Sequence, residues 1–351
     1  MEKTLGIIGY GIQGSWHAES VNATVSGLKA VAVYDIDPEK RAKAEADGLT
    51  AYASAEALLA SGIDVVVIAV PNHYHAHYAK LAMRAGVAVV CEKPACLTPE
   101  ELEDVLAVSR ETGVFFTVHQ NRRFDIDYAT VHNLIQHNTI GNLRLLESRL
   151  YNNRGCSTAW RSCAAVGGGA LYDWGVHMID QVLCLVPSKP VLVQAHLQHM
   201  VYTEVDDGFE VTITFENGAR AHVIVDFWHY IDEPRWLIQG DDGSARIDEW
   251  FGREGKVVKA NLHDMVVEEG NILAPNTPAH YRWPRPKMDI QELPLPLPAT
   301  EPRWEEFYEN VLAVLNGTAD PLITHDQVRL SLKVIMAAFE SDKTDQTIVL
   351  A

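Results

Sequence analysis

Five short apolar runs, separated by helix-length segments, organise the first third of the chain: Leu5–Gly9, Ala30–Asp35, Val65–Val70, Val87–Lys93 and Val114–Gln120. They are rich in Val and Ile and apolar on both faces. A strand reads this way when helices cover both sides of its sheet, as in a buried parallel sheet. The segments between them, such as Pro38–Ala46 and Pro99–Glu111, have helical composition. Repeated strand–helix units predict a doubly wound α/β unit.

The pattern changes after about Asn121. A helix over Tyr128–Gln136 precedes a strand over Leu143–Tyr151, then a glycine turn at Gly167–Gly169 and a helix to about Val186. Antiparallel sheet follows. Phe209–Phe215 and Ala219–Phe227 form a hairpin across Asn217-Gly218, a dipeptide suited to the positive φ angles of a type I′ turn. Trp236–Ile247 forms a second hairpin, turning at Asp241-Asp242-Gly243. Residues 260–300 are weakly patterned, and Pro294, Pro296 and Pro298 suggest an extended connector. Two helices follow. The second opens with Thr324-His325-Asp326-Gln327, a capping box in which Thr324 and Gln327 satisfy each other's backbone donors.

With 351 residues and 47% hydrophobic content, the chain is long enough for two cores. A net charge of −18 repels phosphate backbones and anionic bilayers, so neither nucleic acid nor membrane is an expected partner. Cys91, Cys96, Cys156, Cys163 and Cys184 are odd in number and contain no CxxC pair, which points to a reducing, cytoplasmic setting. The N-terminal apolar stretch is too short for a signal peptide, and no apolar segment reaches membrane-helix length.

Gly9-Tyr10-Gly11-Ile12-Gln13-Gly14 directly follows the first strand and opens a helix. Gly9 permits the tight turn, Gly11 lets the backbone approach a pyrophosphate at the helix N-terminus, and Gly14 lets helix and strand pack closely. Asp35 ends the second strand, 21 positions after Gly14 (35 − 14), where an acid binds adenosine ribose hydroxyls and repels a 2′-phosphate. Ile36 follows it rather than Arg or Ser, so NAD is expected and NADP is disfavoured. This makes residues 1–121 a Rossmann-type NAD-binding domain and 122–351 an α+β domain. The helices of about 303–340 are expected to pack back toward the first domain.

The ends of parallel strands border the ligand crevice. Pro71 and Asn72 lie there, followed by His73, His75 and His77. These histidines do not share a helix face, so cofactor lining by His75 is favoured over a metal site. Glu92-Lys93-Pro94 ends the strand at Val87 onward and places Lys93 at the same rim, where a rim ion pair with Glu92 is the competing role. Asp173 and His177 stand i, i+4 on a predicted helix, and Asp180 continues the face. A carboxylate beside an imidazole fixes its tautomer and raises its basicity, as a general base for alcohol oxidation requires.

These residues carry a resemblance to the glucose–fructose oxidoreductase / inositol dehydrogenase (Gfo/Idh/MocA) family. Gly9–Gly14, Asp35, Pro71-Asn72 with His75, Glu92-Lys93-Pro94, and Asp173 with His177 match in order and spacing, and the ending Thr347-Ile348-Val349-Leu350 is similar too. The resemblance implies catalysis by Lys93, Asp173 and His177, a cis Lys-Pro bond, and a second domain with a large open, mainly antiparallel sheet whose face makes homodimers or homotetramers. His119-Gln120-Asn121-Arg122-Arg123-Phe124 and Trp160-Arg161 resemble the inositol and glycoside 3-dehydrogenase branch. By that analogy Asn121 adjoins the cofactor, and Arg122, Arg123, Trp160 and Arg161 line the substrate pocket, with Tyr151, Asn152 and Asn153 as hydroxyl-binding candidates. A solvated pair at the domain junction is the competing role for Arg122 and Arg123. The implied reaction is NAD-dependent hydride transfer between a secondary ring hydroxyl of a sugar, glycoside or inositol and nicotinamide. No metal is expected, because the Lys93 ammonium can polarise the hydroxyl. The same scaffold also serves enzymes that oxidise transiently and recycle NAD, and non-catalytic NAD- or sugar-sensing regulators.

Overall fold

The computed structural model describes residues 2–153, 155, 158–260 and 289–350. Cys156 and most of the weakly patterned 260–300 segment lie outside the described residues.

The first sheet contains β1 (Lys3–Ile8), β2 (Leu28–Tyr34), β3 (Thr50–Ala51), β4 (Val65–Ile68), β5 (Ala88–Cys91) and β6 (Phe116–Val118), in the order β3-β2-β1-β4-β5-β6 and all parallel. Helices α1 (Ile12–Thr24), α2 (Pro38–Ala46), α3 (Ala55–Leu59), α4 (His75–Arg84) and α5 (Pro99–Thr112) connect them. Every residue of β4 and β5 is buried, which explains their two-sided apolar character. The strands are shorter than the apolar runs: β5 ends at Cys91, Glu92 N–H still donates to Ile68 O (3.0 Å), and Lys93 turns toward the crevice. The two-residue β3 has no apolar run to announce it, and α3 is a short helix started by Ser54, whose side chain accepts from Ala57 N–H. Strand order reverses between β1 and β4, so the crevice opens at their carboxyl ends.

The second half holds α6 (Ile126–Gln136), β7 (Leu143–Tyr151), α7 (Val176–Leu185), β8 (Pro190–Gln198), β9 (Gly208–Phe215), β10 (Arg220–Asp226), β11 (Trp236–Gly240), β12 (Gly243–Ile247), β13 (Gly255–Ala260), β14 (Ile290–Leu293), α8 (Glu305–Leu315), α9 (His325–Thr344) and β15 (Ile348–Val349). Its nine-stranded sheet runs β14-β13-β12-β11-β7-β10-β9-β8-β15 and is antiparallel except for the β7–β10 pair. Alternate residues Val211, Ile213, Phe215, Ala221, Val223 and Val225 are buried and share one core with α7 and α9. On the other face Glu210 is exposed and Thr212, Thr214, His222 and Ile224 are half-buried.

The β9–β10 turn differs from the type I′ expectation. Gly218 has φ +85 but Asn217 does not adopt positive φ, Gly218 N–H donates to Phe215 O (2.9 Å), and Phe215 N–H donates to Ala219 O (2.9 Å). The loop is one residue longer than a two-residue turn, so a single left-handed position closes it. The capping box at Thr324 and Gln327 is present with both bonds.

Helices α8 and α9 tie the halves together. Phe307, Tyr308 and Val311 of α8 and Val328 and Leu332 of α9 join the core of the first sheet, whereas Val334, Ile335 and Ala338 of α9 join that of the second. Fully burying Phe307 is worth roughly 1.5–3 kcal/mol.

Candidate active site

The glycine turn is shaped by close approaches. A Cβ on Gly9, at φ +95, would stand 2.4 Å from Ala69 O, and one on Gly14 would stand 1.9 Å from Gly9 O. At Gly11 a Cβ would meet nothing within 4 Å, and Ile12 is 91% exposed. The N-terminus of α1 therefore faces open space. Its first turn carries no acid, whereas α2, α5, α8 and α9 all have one there. Free amides without a competing carboxylate suit an anion, so the cradle fits a dinucleotide pyrophosphate. Asp35 is buried under the turn and accepts from Tyr10 N–H (2.6 Å) and Asp37 N–H (2.9 Å).

On the neighbouring strand ends, His75 is buried between two carbonyls, Pro94 O at 2.7 Å from Nδ1 and Val70 O at 2.9 Å from Nε2, and a neutral ring has one N–H to give to one of them. Burial lowers its pKa. Half-buried Pro71 precedes Asn72, whose Nδ2 donates to Gly167 O (2.8 Å), joining this rim to the glycine turn of the second half. The Lys93–Pro94 bond is cis.

Lys93 does not pair with Glu92. Its Nζ crosses to Asp173, donating to Oδ1 (2.9 Å) and to the carbonyl O (2.7 Å). Arg161 Nε adds a contact of 3.2 Å to the same Oδ1 and stacks on Trp160 at 4.4 Å. Burial alone would raise the Asp173 pKa, but the charges of Lys93 and Arg161 hold it well below the usual carboxylate range. Leu171–Gly175 is a π-helical turn that runs into α7, so the α-helical i, i+4 relation is lost, and His177 Nδ1 has no hydrogen-bond partner. Burial and the Lys93 and Arg122 charges keep the His177 pKa well below its ordinary value, so the ring is neutral.

Two family-model matches fit this frame: an oxidoreductase family with NAD-binding Rossmann fold over residues 3–120, and the GFO/IDH/MocA C-terminal domain over residues 128–246. The chain belongs to the Gfo/Idh/MocA oxidoreductase family. The oxidoreductase YdgJ of Escherichia coli (strain K12) is 30% identical over 99% of this chain and 98% of its own. The scyllo-inositol 2-dehydrogenase (NADP+) of Bacillus subtilis (strain 168) is 23% identical over 99% and 95%. The crystal structure of an NAD-binding protein from Listeria innocua superposes with a TM-score of 0.87 at 38% identity, covering 99% of this chain and 97% of that one. The chain is thus an NAD(P)-binding oxidoreductase, and no helix among its described residues is long and apolar enough to cross a membrane.

Within this Gfo/Idh/MocA frame, the two adjacent arginines separate. Arg122 lies between Trp174 (5.3 Å) and Trp250 (5.2 Å) and pairs with Asp125 (3.2 Å), beside the crevice. Arg123 turns inward. It grips Asp180 with two bonds (2.7 and 2.6 Å) and Gln327 Oε1 (2.9 Å), so its guanidinium is occupied in joining Asn121–Phe124, α7 and the start of α9. Asp180 accordingly faces Arg123 rather than extending an Asp173–His177 face. Half-buried Asn121 opens that same 3-10 turn. Tyr151 stacks on His229 (4.1 Å, 18°), Asn152 exchanges backbone bonds with Asp226 and His229, and Asn153 is exposed.

Sequence reasoning missed several participants. Tyr202, Asp206 and Phe227 line a small cavity with Arg161 and Asp173, and Asp206 Oδ2 accepts from Leu171 N–H (2.7 Å) at the start of the π-turn. Burial raises Asp206 to about 6. Beneath the glycine loop, His17 Nε2 (2.8 Å) and His119 Nδ1 (2.9 Å) both donate to Glu92 Oε1, and Tyr308 Oη donates to His17 Nδ1 (2.5 Å). The three ligand atoms of His17, Glu92 and His119 lie within 4.8 Å of one another, but their spacing is that of hydrogen bonds to one shared oxygen. His119 stood in a quoted motif, whereas His17 and Tyr308 had no local signal.

Proposed function

We propose that the chain oxidises a secondary ring hydroxyl of a sugar, glycoside or inositol, with NAD as the preferred hydride acceptor. The observation that carries this reading is the Lys93 Nζ–Asp173 Oδ1 pair at 2.9 Å beside a buried, neutral His177. An ammonium fixed by a carboxylate, next to an uncharged base, is what deprotonation of an alcohol needs.

The amides of Gly11 to Gln13 would hold the pyrophosphate and Asp35 would meet the adenosine ribose. When bound, the nicotinamide supplies the hydride acceptor. Lys93 Nζ takes the substrate hydroxyl oxygen as a hydrogen-bond acceptor and stabilises the alkoxide. The imidazole of His177 receives the hydroxyl proton. Asp173 aims the Lys93 ammonium and is itself held by Arg161, and Arg122, Tyr151, Asn153 and Trp160 form the substrate wall. The buried carboxylate of Asp35, followed by exposed Ile36, supports NAD over NADP, although the Bacillus subtilis relative is by name an NADP+ enzyme.

The test is a screen for NAD⁺ reduction across inositols, aldoses, methyl and aryl glycosides and sugar acids, with NADP⁺ in parallel. Turnover of one class with NAD⁺ supports the reading. Silence across the panel, with NAD⁺ binding still measurable, rejects it; faster turnover with NADP⁺ rejects the cofactor preference.

A further inference from the structure

The helical run that carries Asp173 and His177 begins without a cap of its own. Ala170 precedes the π-turn and has no side-chain acceptor, and the chain arrives through Gly167-Gly168-Gly169, with Gly167 at φ +78 and Gly169 at φ +110. Glycine constrains the backbone least, so this lead-in does little to fix where the turn sits. The first amides of a helix need acceptors, and one residue from the β8–β9 loop supplies two of them. Asp206, 4% exposed, accepts from Ala170 N–H through its carbonyl O (3.0 Å) and from Leu171 N–H through Oδ2 (2.7 Å).

Asp206 is itself held in place. Gly169 lets it come close, since a Cβ there would stand 2.2 Å from Asp206 Oδ1. The adjacent, fully buried Asp207 binds the loop: its carboxylate accepts from the N–H groups of Met200 (2.9 Å), Val201 (2.5 Å) and Tyr202 (3.1 Å), and its own N–H donates to Gln198 O (2.9 Å). One carboxylate closes the loop on itself and the other caps the π-turn.

The cap reaches the ammonium through the backbone. Lys93 Nζ is bound to the carbonyl O of Asp173 as well as to Oδ1. A side chain can rotate to follow a shifted ammonium, but a carbonyl in a helical turn moves only with the turn. Asp173 N–H donates to Gly169 O (3.1 Å), so Asp173 belongs to the first turn after the capped amides. Asp206 and Asp173 also line the same small cavity.

We propose that Asp206 is a positioning residue for Lys93: it caps the π-turn from the β8–β9 loop and so fixes the Asp173 backbone to which the ammonium is bound. Its bearing on turnover rests on the reading of Lys93 and Asp173 as the catalytic pair.

The first measurement needs no substrate. Full-length protein is labelled with trace acetic anhydride, and mass spectrometry gives the acetylation rate of Lys93 Nζ relative to that of Lys3, which pairs with Asp64 at the far end of β1 from the glycine turn. Asp206→Ala removes the side-chain acceptor, and the Lys93/Lys3 ratio is expected to rise roughly tenfold, as for one lost charged hydrogen bond. Asp206→Asn keeps an acceptor oxygen at Leu171 N–H and is expected to restore the ratio to within about twofold of wild type. Asp206→Ser keeps an oxygen in the buried site but withdraws it from Leu171, and decides the matter if Asp206→Ala does not fold. An unmoved ratio in the Ala or Ser variant overturns the proposal, as does a shift in Asp206→Asn equal to theirs. With a substrate in hand, kcat of the Ala variant is expected to fall at least about tenfold, with KM and NAD⁺ affinity near wild type and recovery in the Asn variant. A raised Lys93 ratio with unchanged kcat upholds Asp206 as the residue that places Lys93 and overturns the catalytic reading beneath it.

Discussion

Lys93 and Asp173 meet twice, through the carbonyl O at 2.7 Å and through Oδ1 at 2.9 Å. One ammonium thus joins the end of a parallel strand to the π-turn of the second half, and its position is set by both. Lys93→Met keeps the length and loses the charge. Turnover is expected to drop at least ~100-fold, as for a lost acid–base group, with NAD⁺ affinity within about threefold of wild type. Steady-state kinetics with parallel nucleotide titration checks this; unchanged turnover removes Lys93 from the mechanism.

The glycines of the first turn separate folding from binding. Gly14→Ala puts a methyl 1.9 Å from a backbone oxygen, and Gly11→Ala puts one in open space. Thermal melts should show a clear loss for Gly14→Ala and none for Gly11→Ala. Nucleotide titration should show Gly11→Ala binding at least about tenfold more weakly, because the methyl occupies the pyrophosphate's approach.

Neighbouring arginines should give opposite phenotypes. Arg123→Ala leaves Asp180, 2% exposed, without its partner, a change that costs about 3–5 kcal/mol for a buried pair. Arg122→Ala loses a partly exposed stack between Trp174 and Trp250, worth about 0.5–2 kcal/mol. Denaturant unfolding gives both values. Turnover per folded molecule should suffer in Arg122→Ala, since this charge acts on His177.

Stability should fall as the medium is acidified from neutral. Burial holds His17, His75 and His177 neutral, below the ordinary value of 6.5, so the unfolded chain takes up protons there that the native protein refuses. Their contribution is present above 6.5 and is lost as pH drops through that value. Asp125 and Asp206 act with the opposite sign: burial raises both to about 6 in the native state, so protonation there favours the fold below that pH. With His222 also lowered and Asp127 also raised by burial, four histidines stand against three carboxyls, and the melting temperature should decline between about pH 7.5 and 5.5. Asp125→Asn should steepen the decline and His177→Gln should flatten it; an acid-stabilised wild type contradicts the assignment.

What was legible in the sequence was what the chain does locally. The glycine turn, the buried strands, the capping box and the Glu92-Lys93-Pro94 exit each depend on neighbours a few positions away. The loop at Gly218 was placed correctly, but its turn class depended on one residue of register. The π-turn was hidden because a helical i, i+4 pair looks the same in sequence whichever helix type carries it. The Glu92 network was out of reach: its partners stand 75 and 27 positions away, and Tyr308 lies 291 positions from His17. Arg123 looked like its neighbour until Asp180, 57 positions on, claimed it.

The placement of α8 has a consequence for synthesis. The ribosome finishes every strand of the parallel sheet long before Phe307, Tyr308 and Val311, which complete that sheet's core, have been polymerised. Until they emerge, the nascent dinucleotide unit has an apolar gap and a His17 ring without its hydroxyl donor. A product truncated before residue 300 inherits that defect permanently, which makes it a target for chaperones and proteases even though its glycine turn is intact.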